Sequence, residues 1–105
     1  NKVDLTILIT DAKRVCDNFF QERKNFDLIL VDMYVGDKVP AKFETDDFIK
    51  LISKLQSKDG IVVFNRLYYG EKRPQAMRFL KRLEKVFVKA DPVYPQANVM
   101  FICRK

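Results

Sequence analysis

Four apolar residues in a row, Leu28-Ile29-Leu30-Val31, stand between Asp27 and Asp32. A strand with one wet face alternates apolar and polar side chains. An unbroken apolar run suits a strand covered on both faces, as in the middle of a parallel α/β sheet. A carboxylate where such a strand ends, here Asp32, faces the crevice at the carboxyl edge of the sheet, where α/β proteins bind ligands. The turn-like stretch Tyr34-Val35-Gly36-Asp37-Lys38-Val39-Pro40 follows and loops over the strand tip. Acids at strand tips also cap loops or pair with lysines, so on pattern alone both uses of Asp32 stay open.

The remaining segments alternate strand and helix. Val3 to Thr10 reads as a first strand, rich in Leu and Ile, and Asp11 as the N-cap of a helix from Ala12 to Gln21. Val15, Cys16, Phe19 and Phe20 fall on one stripe of that helix. A second helix is expected from Thr45, with Asp46 and Asp47 in its first turn, ending at Asp59-Gly60. Ile61-Val62-Val63-Phe64 forms a third strand closed by Asn65, and Arg66 to Arg73 a loop. Pro74 then suits the first turn of a third helix whose stripe is Ala76, Phe79, Leu80 and Leu83. Phe87-Val88 and Val99 to Cys103 read as two last strands, with Asp91-Pro92 to Pro95 breaking the chain between them. That link is too short for a crossover helix, so the pair is expected to be antiparallel. The order β-α-β-α-β-α-β-β predicts an α/β fold with a Rossmann-like, mostly parallel sheet and a C-terminal antiparallel pair.

Length and composition narrow the function. A chain of 105 residues makes one domain, residues 1–105, burying about 65% of its unfolded surface. With 48% hydrophobic residues, three Gly and four Pro it is expected to be globular. No apolar run approaches the roughly 20 residues that cross a bilayer, and no signal-peptide pattern opens the chain. Cys16 and Cys103 form no metal or redox motif and read as reduced thiols of a cytoplasmic protein, although two cysteines do not exclude a disulfide. The absence of His removes Ser-His and Cys-His nucleophile systems and the commonest metal ligand. The net charge of +6 is densest from Lys72 to Lys85, among Phe79, Leu80 and Leu83. Such a stripe reads as the solvated face of an amphipathic helix rather than a nucleic-acid site. The expected partner is a small molecule, with no membrane contact.

Asp-Ala after the first strand, Asp32 after the second, Asn65 after the third and the final strand pair together resemble the later portion of a class I S-adenosylmethionine-dependent transferase. The spermidine-synthase-like branch is the nearest likeness. Its members carry a stretch similar to Asp27–Asp32, a loop reaching a Pro, a Thr-initiated helix similar to Thr45-Asp46-Asp47-Phe48, and a Gly-led strand ending in Asn, like Gly60 to Asn65. The likeness spans nearly all of the chain and rests on the order of short motifs. In that superfamily a glycine-rich loop and a ribose-binding acid precede this region; here no glycine comes before Gly36 and no G-x-G occurs. The resemblance therefore implies a partial methyltransferase fold, and a fragment that is inactive in isolation.

The resemblance also implies roles. Asp11 and Ala12 match the position that meets the adenine of S-adenosylmethionine or its decarboxylated form, and no metal is expected. Asp32 matches the acid at the reacting centre, which in aminopropyl transferases orients and helps deprotonate the attacking amine. The synthases carry a second acid three residues later, where Val35 stands here, with Asp37 as a candidate substitute. Tyr34, Asp37 and Asn65 are the candidate substrate contacts: Tyr34 as a wall or as packing under the loop, Asn65 as a substrate ligand or a loop brace. The transferred group, methyl or aminopropyl, stays open, as does any place in polyamine biosynthesis. Competing readings are a non-catalytic methyltransferase-like interaction domain, a receiver-like signalling module, which Ala12 after Asp11 opposes, and an RNA methyltransferase. In the complete fold the strand matching Val3 to Thr10 is separated from that matching Leu28 to Asp32 by two strands. Here it is expected to close the gap and pair in parallel with the second, leaving helix faces prone to self-association.

Overall fold

The computed structural model describes residues 4–7 and 12–105, with side chains from Cys16 onward. In chain order the elements are β1 (Asp4–Ile7), α1 (Ala12–Gln21), β2 (Phe26–Val31), a 3-10 turn (Ala41–Phe43), α2 (Asp46–Leu55), β3 (Gln56–Leu67), α3 (Lys72–Leu83), β4 (Lys89–Val93) and β5 (Asn98–Arg104). They form one five-stranded sheet in the order β1-β2-β3-β5-β4. β1, β2 and β3 run parallel, and β5 joins β3 and β4 antiparallel. The gap is closed as expected: Asp4 to Ile7 pair directly with Leu28 to Val31.

The helices start where local chemistry favours them. The Thr45 side chain accepts the Phe48 N–H at 3.2 Å, and Asp46 and Asp47 follow at the positive end of the α2 dipole. Phe48, Ile49, Ile52 and Leu55 form its buried stripe. Pro74 sits in the first turn of α3, which buries Ala76, Phe79 and Leu83. These stripes meet Ile29, Val31, Val62, Phe64, Val99, Phe101 and Cys103 in a single core that also takes in Cys16 of α1. Phe79 links the layers, with ring centroids 5.4 Å from Phe64 and 6.4 Å from Phe101.

Burial alternates along the central strands, so the sheet has two unequal faces. Ile29, Val31, Val62, Phe64, Val99 and Phe101 are buried under the helices, whereas Leu28, Ile61, Val63 and Ile102 are half-buried and Leu30 and Met100 are exposed. The unbroken apolar run of β2 implies cover on both faces. The described residues supply it on one.

Several boundaries differ from the sequence reading. β3 continues past Asn65 to Leu67 and α3 begins at Lys72, so the loop expected over Arg66 to Arg73 is shorter. Two further differences have a clear cause. α2 ends at Leu55, and β3 begins at Gln56, five residues before Ile61. The cause is the buried amide of Gln56, whose Nε2 donates to the Gly60 and Cys103 carbonyls at 2.9 and 3.0 Å and draws the segment into the sheet. The register passes from Phe26↔Gln56 to Leu28↔Ile61, so residues 57–60 bulge opposite β2. Gly60 stands in that bulge and not at the helix end. The second difference is β4, which runs through Asp91-Pro92 instead of ending before them. Proline is tolerated because β4 is the edge strand, where its missing N–H breaks no ladder. Phe87, expected in that strand, instead packs against Phe64 at 6.1 Å, while Val88 is exposed.

Candidate functional site

Because β2 and β3 are parallel, the segments after their carboxyl ends rise on the same edge of the sheet. A cleft of about 190 Å³ lies there, lined chiefly by Tyr34 and Asp37 after β2, Glu44, Arg66 at the end of β3, and Lys72 and Gln75 in the first turn of α3. The β2 loop is held in shape by the Val35–Lys38 backbone pair and by Gly36 at φ 62°. Two links then tie it to the elements beyond. The Leu67 N–H donates to the Tyr34 hydroxyl at 2.7 Å, and the Lys72 ammonium donates to the Asp37 carbonyl at 2.6 Å with the Asp37 carboxylate 3.7 Å away.

Arg66 forms the inner wall. It is only 8% exposed, its Nη1 lies 2.7 Å from Glu44 Oε2, and its guanidinium carbon stands 3.6 Å from the Phe79 ring centroid. Burial lowers its pKa, opposed by the hydrogen bond and charge of Glu44. A guanidinium keeps its charge under such conditions, and the aromatic face favours it further. Burial is also the main cause that raises the Tyr34 pKa; the Leu67 N–H and Arg66 pull it down, and Asp32 and Glu44 push it up. Tyr34 is therefore a neutral phenol at ordinary pH, with its oxygen engaged by the backbone.

The sequence-derived positions distribute unevenly around this cleft. Tyr34 and Asp37 line it, and Tyr34 both walls it and braces the loop. Asp32 is exposed just beyond the tip of β2, outside the cleft lining but close enough for its charge to act on Tyr34. Asn65 lies within β3, where its Oδ1 accepts from Asn98 Nδ2 of β5 at 2.9 Å; it braces two strands and does not line the cleft. Asp11 lies outside the described residues, and Ala12 opens α1. Arg66, Glu44 and Lys72 were not singled out from the sequence. Only Arg66 left a signal there: it continues the alternation of Val62 and Phe64 on the face of β3 that points into the core.

Among the described residues no group of three His, Cys, Asp or Glu is placed to hold a metal ion, and no helix is long and apolar enough to cross a membrane. No protein-family model matches the chain, and neither does any curated protein. Solved structures do. Human methyltransferase-like protein 13, crystallised in complex with SAH, superposes with a TM-score of 0.73 at 11% identity, over 99% of this chain and 72% of its own. A probable spermidine synthase from Corynebacterium glutamicum gives 0.71 at 22% identity, over 90% of this chain and 36% of its own. Spermidine synthase from Thermotoga maritima gives 0.61 at 12% identity, over 97% and 53%. The chain thus spans about a third to a half of either synthase. With its parallel strands, closing antiparallel pair and carboxyl-edge cleft, the chain has a class I S-adenosylmethionine-dependent methyltransferase-like fold, shared with spermidine synthases.

Proposed function

We propose that this chain is the acceptor-side part of an S-adenosylmethionine-dependent transferase, which moves a methyl or aminopropyl group and needs further residues to hold its cofactor. The cleft between the β2 loop and the β3–α3 loop carries this reading, because it opens on the sheet edge where α/β proteins bind ligands. S-adenosylmethionine, or its decarboxylated form, supplies the electrophilic carbon. Asp11 and Ala12 are assigned to the adenine, by hydrogen bonds from the exocyclic amine to the carboxylate and from the backbone N–H to a ring nitrogen.

Asp32 is assigned to the nucleophile. An exposed carboxylate at the tip of β2 can accept a proton from an attacking amine, or hold its ammonium form until transfer. Tyr34 and Arg66 shape the acceptor pocket beside it. The 105-residue chain alone is expected to bind S-adenosylmethionine weakly or not at all. Each missing hydrogen bond to a charged group costs about 1.5–3 kcal/mol. Calorimetry with S-adenosylmethionine and its decarboxylated form tests this, and micromolar binding with turnover by the chain alone refutes it. In a domain extended upstream by a cofactor loop, Asp32→Asn should lower kcat by about 10²–10⁴-fold while cofactor affinity changes little. Wild-type turnover in that variant removes Asp32 from the chemistry.

A further inference from the structure

The net positive charge of this protein comes from its last 40 residues. Residues 1–65 hold ten Lys and Arg against eleven Asp and Glu, a net charge of −1; residues 66–105 hold ten against three, a net charge of +7. Such asymmetry between segments points to a polyanionic partner. The fold concentrates the surplus further. Ala76, Phe79 and Leu83 turn α3 into the core, so Arg78, Lys81 and Arg82 lie on its outer side, with Lys85 two residues past its end, all exposed. Of these four only Arg82 has an ion pair among the described residues, 3.3 Å from Asp46. Arg78 and Lys81 stand three residues apart on the helix, and Lys85 follows in the turn after its end.

Exposed aromatics stand at the amino end of this stripe. Tyr68 and Tyr94 pack with ring centroids 5.0 Å apart, and the Arg73 guanidinium lies 5.5 Å from the Tyr68 ring. The Tyr68 N–H donates to the Ala97 carbonyl at 2.7 Å, which fixes the β3–α3 loop against the β4–β5 turn. Tyr94 and the neighbouring Tyr69 are each nearly half exposed, at 49% and 45%. A bare basic stripe attracts any polyanion. A basic helix face, with braced and exposed tyrosines and an arginine at the amino end of the same helix, matches a phosphodiester chain with unstacked bases, because aromatic faces take up bases whatever their sequence.

We propose that the outer face of α3, together with Tyr69, Tyr94 and Arg73, binds single-stranded nucleic acid. The backbone phosphates lie along Arg78, Lys81 and Lys85, and bases stack at the tyrosines. This does not rest on the transferase reading, since binding here needs neither cofactor nor cleft.

The test is fluorescence anisotropy of the 105-residue chain with a labelled single-stranded RNA of about 15 nucleotides, a length matched to known site sizes. Three to four neutralised phosphates predict that affinity falls about 20- to 50-fold between roughly 50 and 200 mM salt. The triple variant Arg78→Gln/Lys81→Gln/Lys85→Gln should flatten the log–log salt slope by about 2. The control Lys24→Gln/Lys50→Gln/Lys58→Gln removes equal charge from the other segment and should leave the slope unchanged. Tyr94→Ala should weaken binding about fivefold or more. No binding at the lower salt, or equal losses in both triple variants, overturns the proposal. So does equal binding to an RNA duplex or to anionic phospholipid vesicles with no effect of Tyr94→Ala.

Discussion

Gly60→Ala isolates the least obvious packing constraint in the fold. A Cβ at this position would stand 2.7 Å from the Ser57 hydroxyl, 2.9 Å from the Phe26 carbonyl and 3.1 Å from the Asp27 carbonyl. The hydroxyl can rotate away, but only by giving up its 2.7 Å hydrogen bond to Asp27 Oδ1, worth about 0.5–1.5 kcal/mol. The two carbonyls belong to β2 opposite the bulge and cannot move without disturbing its pairing. Overpacking of this kind costs about 1–3 kcal/mol. The alanine also reduces unfolded-state entropy, which returns about 0.4–1 kcal/mol. The net expectation is a loss of about 0.5–4 kcal/mol. Urea unfolding followed by far-UV circular dichroism should show a lower midpoint at unchanged slope, and thermal unfolding a fall of about 4–8 °C per kcal/mol. Adding Ser57→Ala should recover only the hydroxyl part of the clash. Stability within about 0.5 kcal/mol of wild type, the range of ordinary surface changes, would refute the steric account.

Three further outcomes are expected. Burial raises the Cys16 thiol to about 11 and the Cys103 thiol to about 12, so at pH 8 neither should react with a thiol reagent until urea is added; their contribution to stability is complete below the ordinary thiol range and is lost as pH rises through 11 to 12, measurable as a falling urea midpoint. Thr45→Ala removes the acceptor of the Phe48 N–H and should cost about 1 kcal/mol in the same unfolding assay, with Thr45→Ser restoring most of it. Tyr34→Phe leaves the Leu67 N–H without its 2.7 Å partner, which should cost about 0.5–1.5 kcal/mol and speed hydrogen exchange at Leu67 while other β3 amides keep their protection.

The sequence by itself determined the class of fold. The apolar run before Asp32, the N-cap at Thr45 and the Ala76, Phe79 and Leu83 stripe of α3 are local patterns, and each appears where periodicity and capping chemistry place it. The parallel pairing of β1 with β2 was equally readable, since only a helix-length link joins them. Tertiary structure alone decided the rest. Gln56 joins β3 because its amide reaches the Cys103 carbonyl, 47 residues away in sequence. Pro92 lies in a strand because that strand is at the edge, which depends on the order of all five. The cleft shows the same division. Tyr34 and Asp37 follow a recognisable strand and line the cleft, whereas Arg66, Glu44 and Lys72 are joined by contacts between separate elements. Asn65 was expected to close the third strand, but it lies within β3 and is occupied by Asn98 across the antiparallel pair. Periodicity says which way a side chain points; which partner meets it depends on chain segments that only the folded sheet brings together.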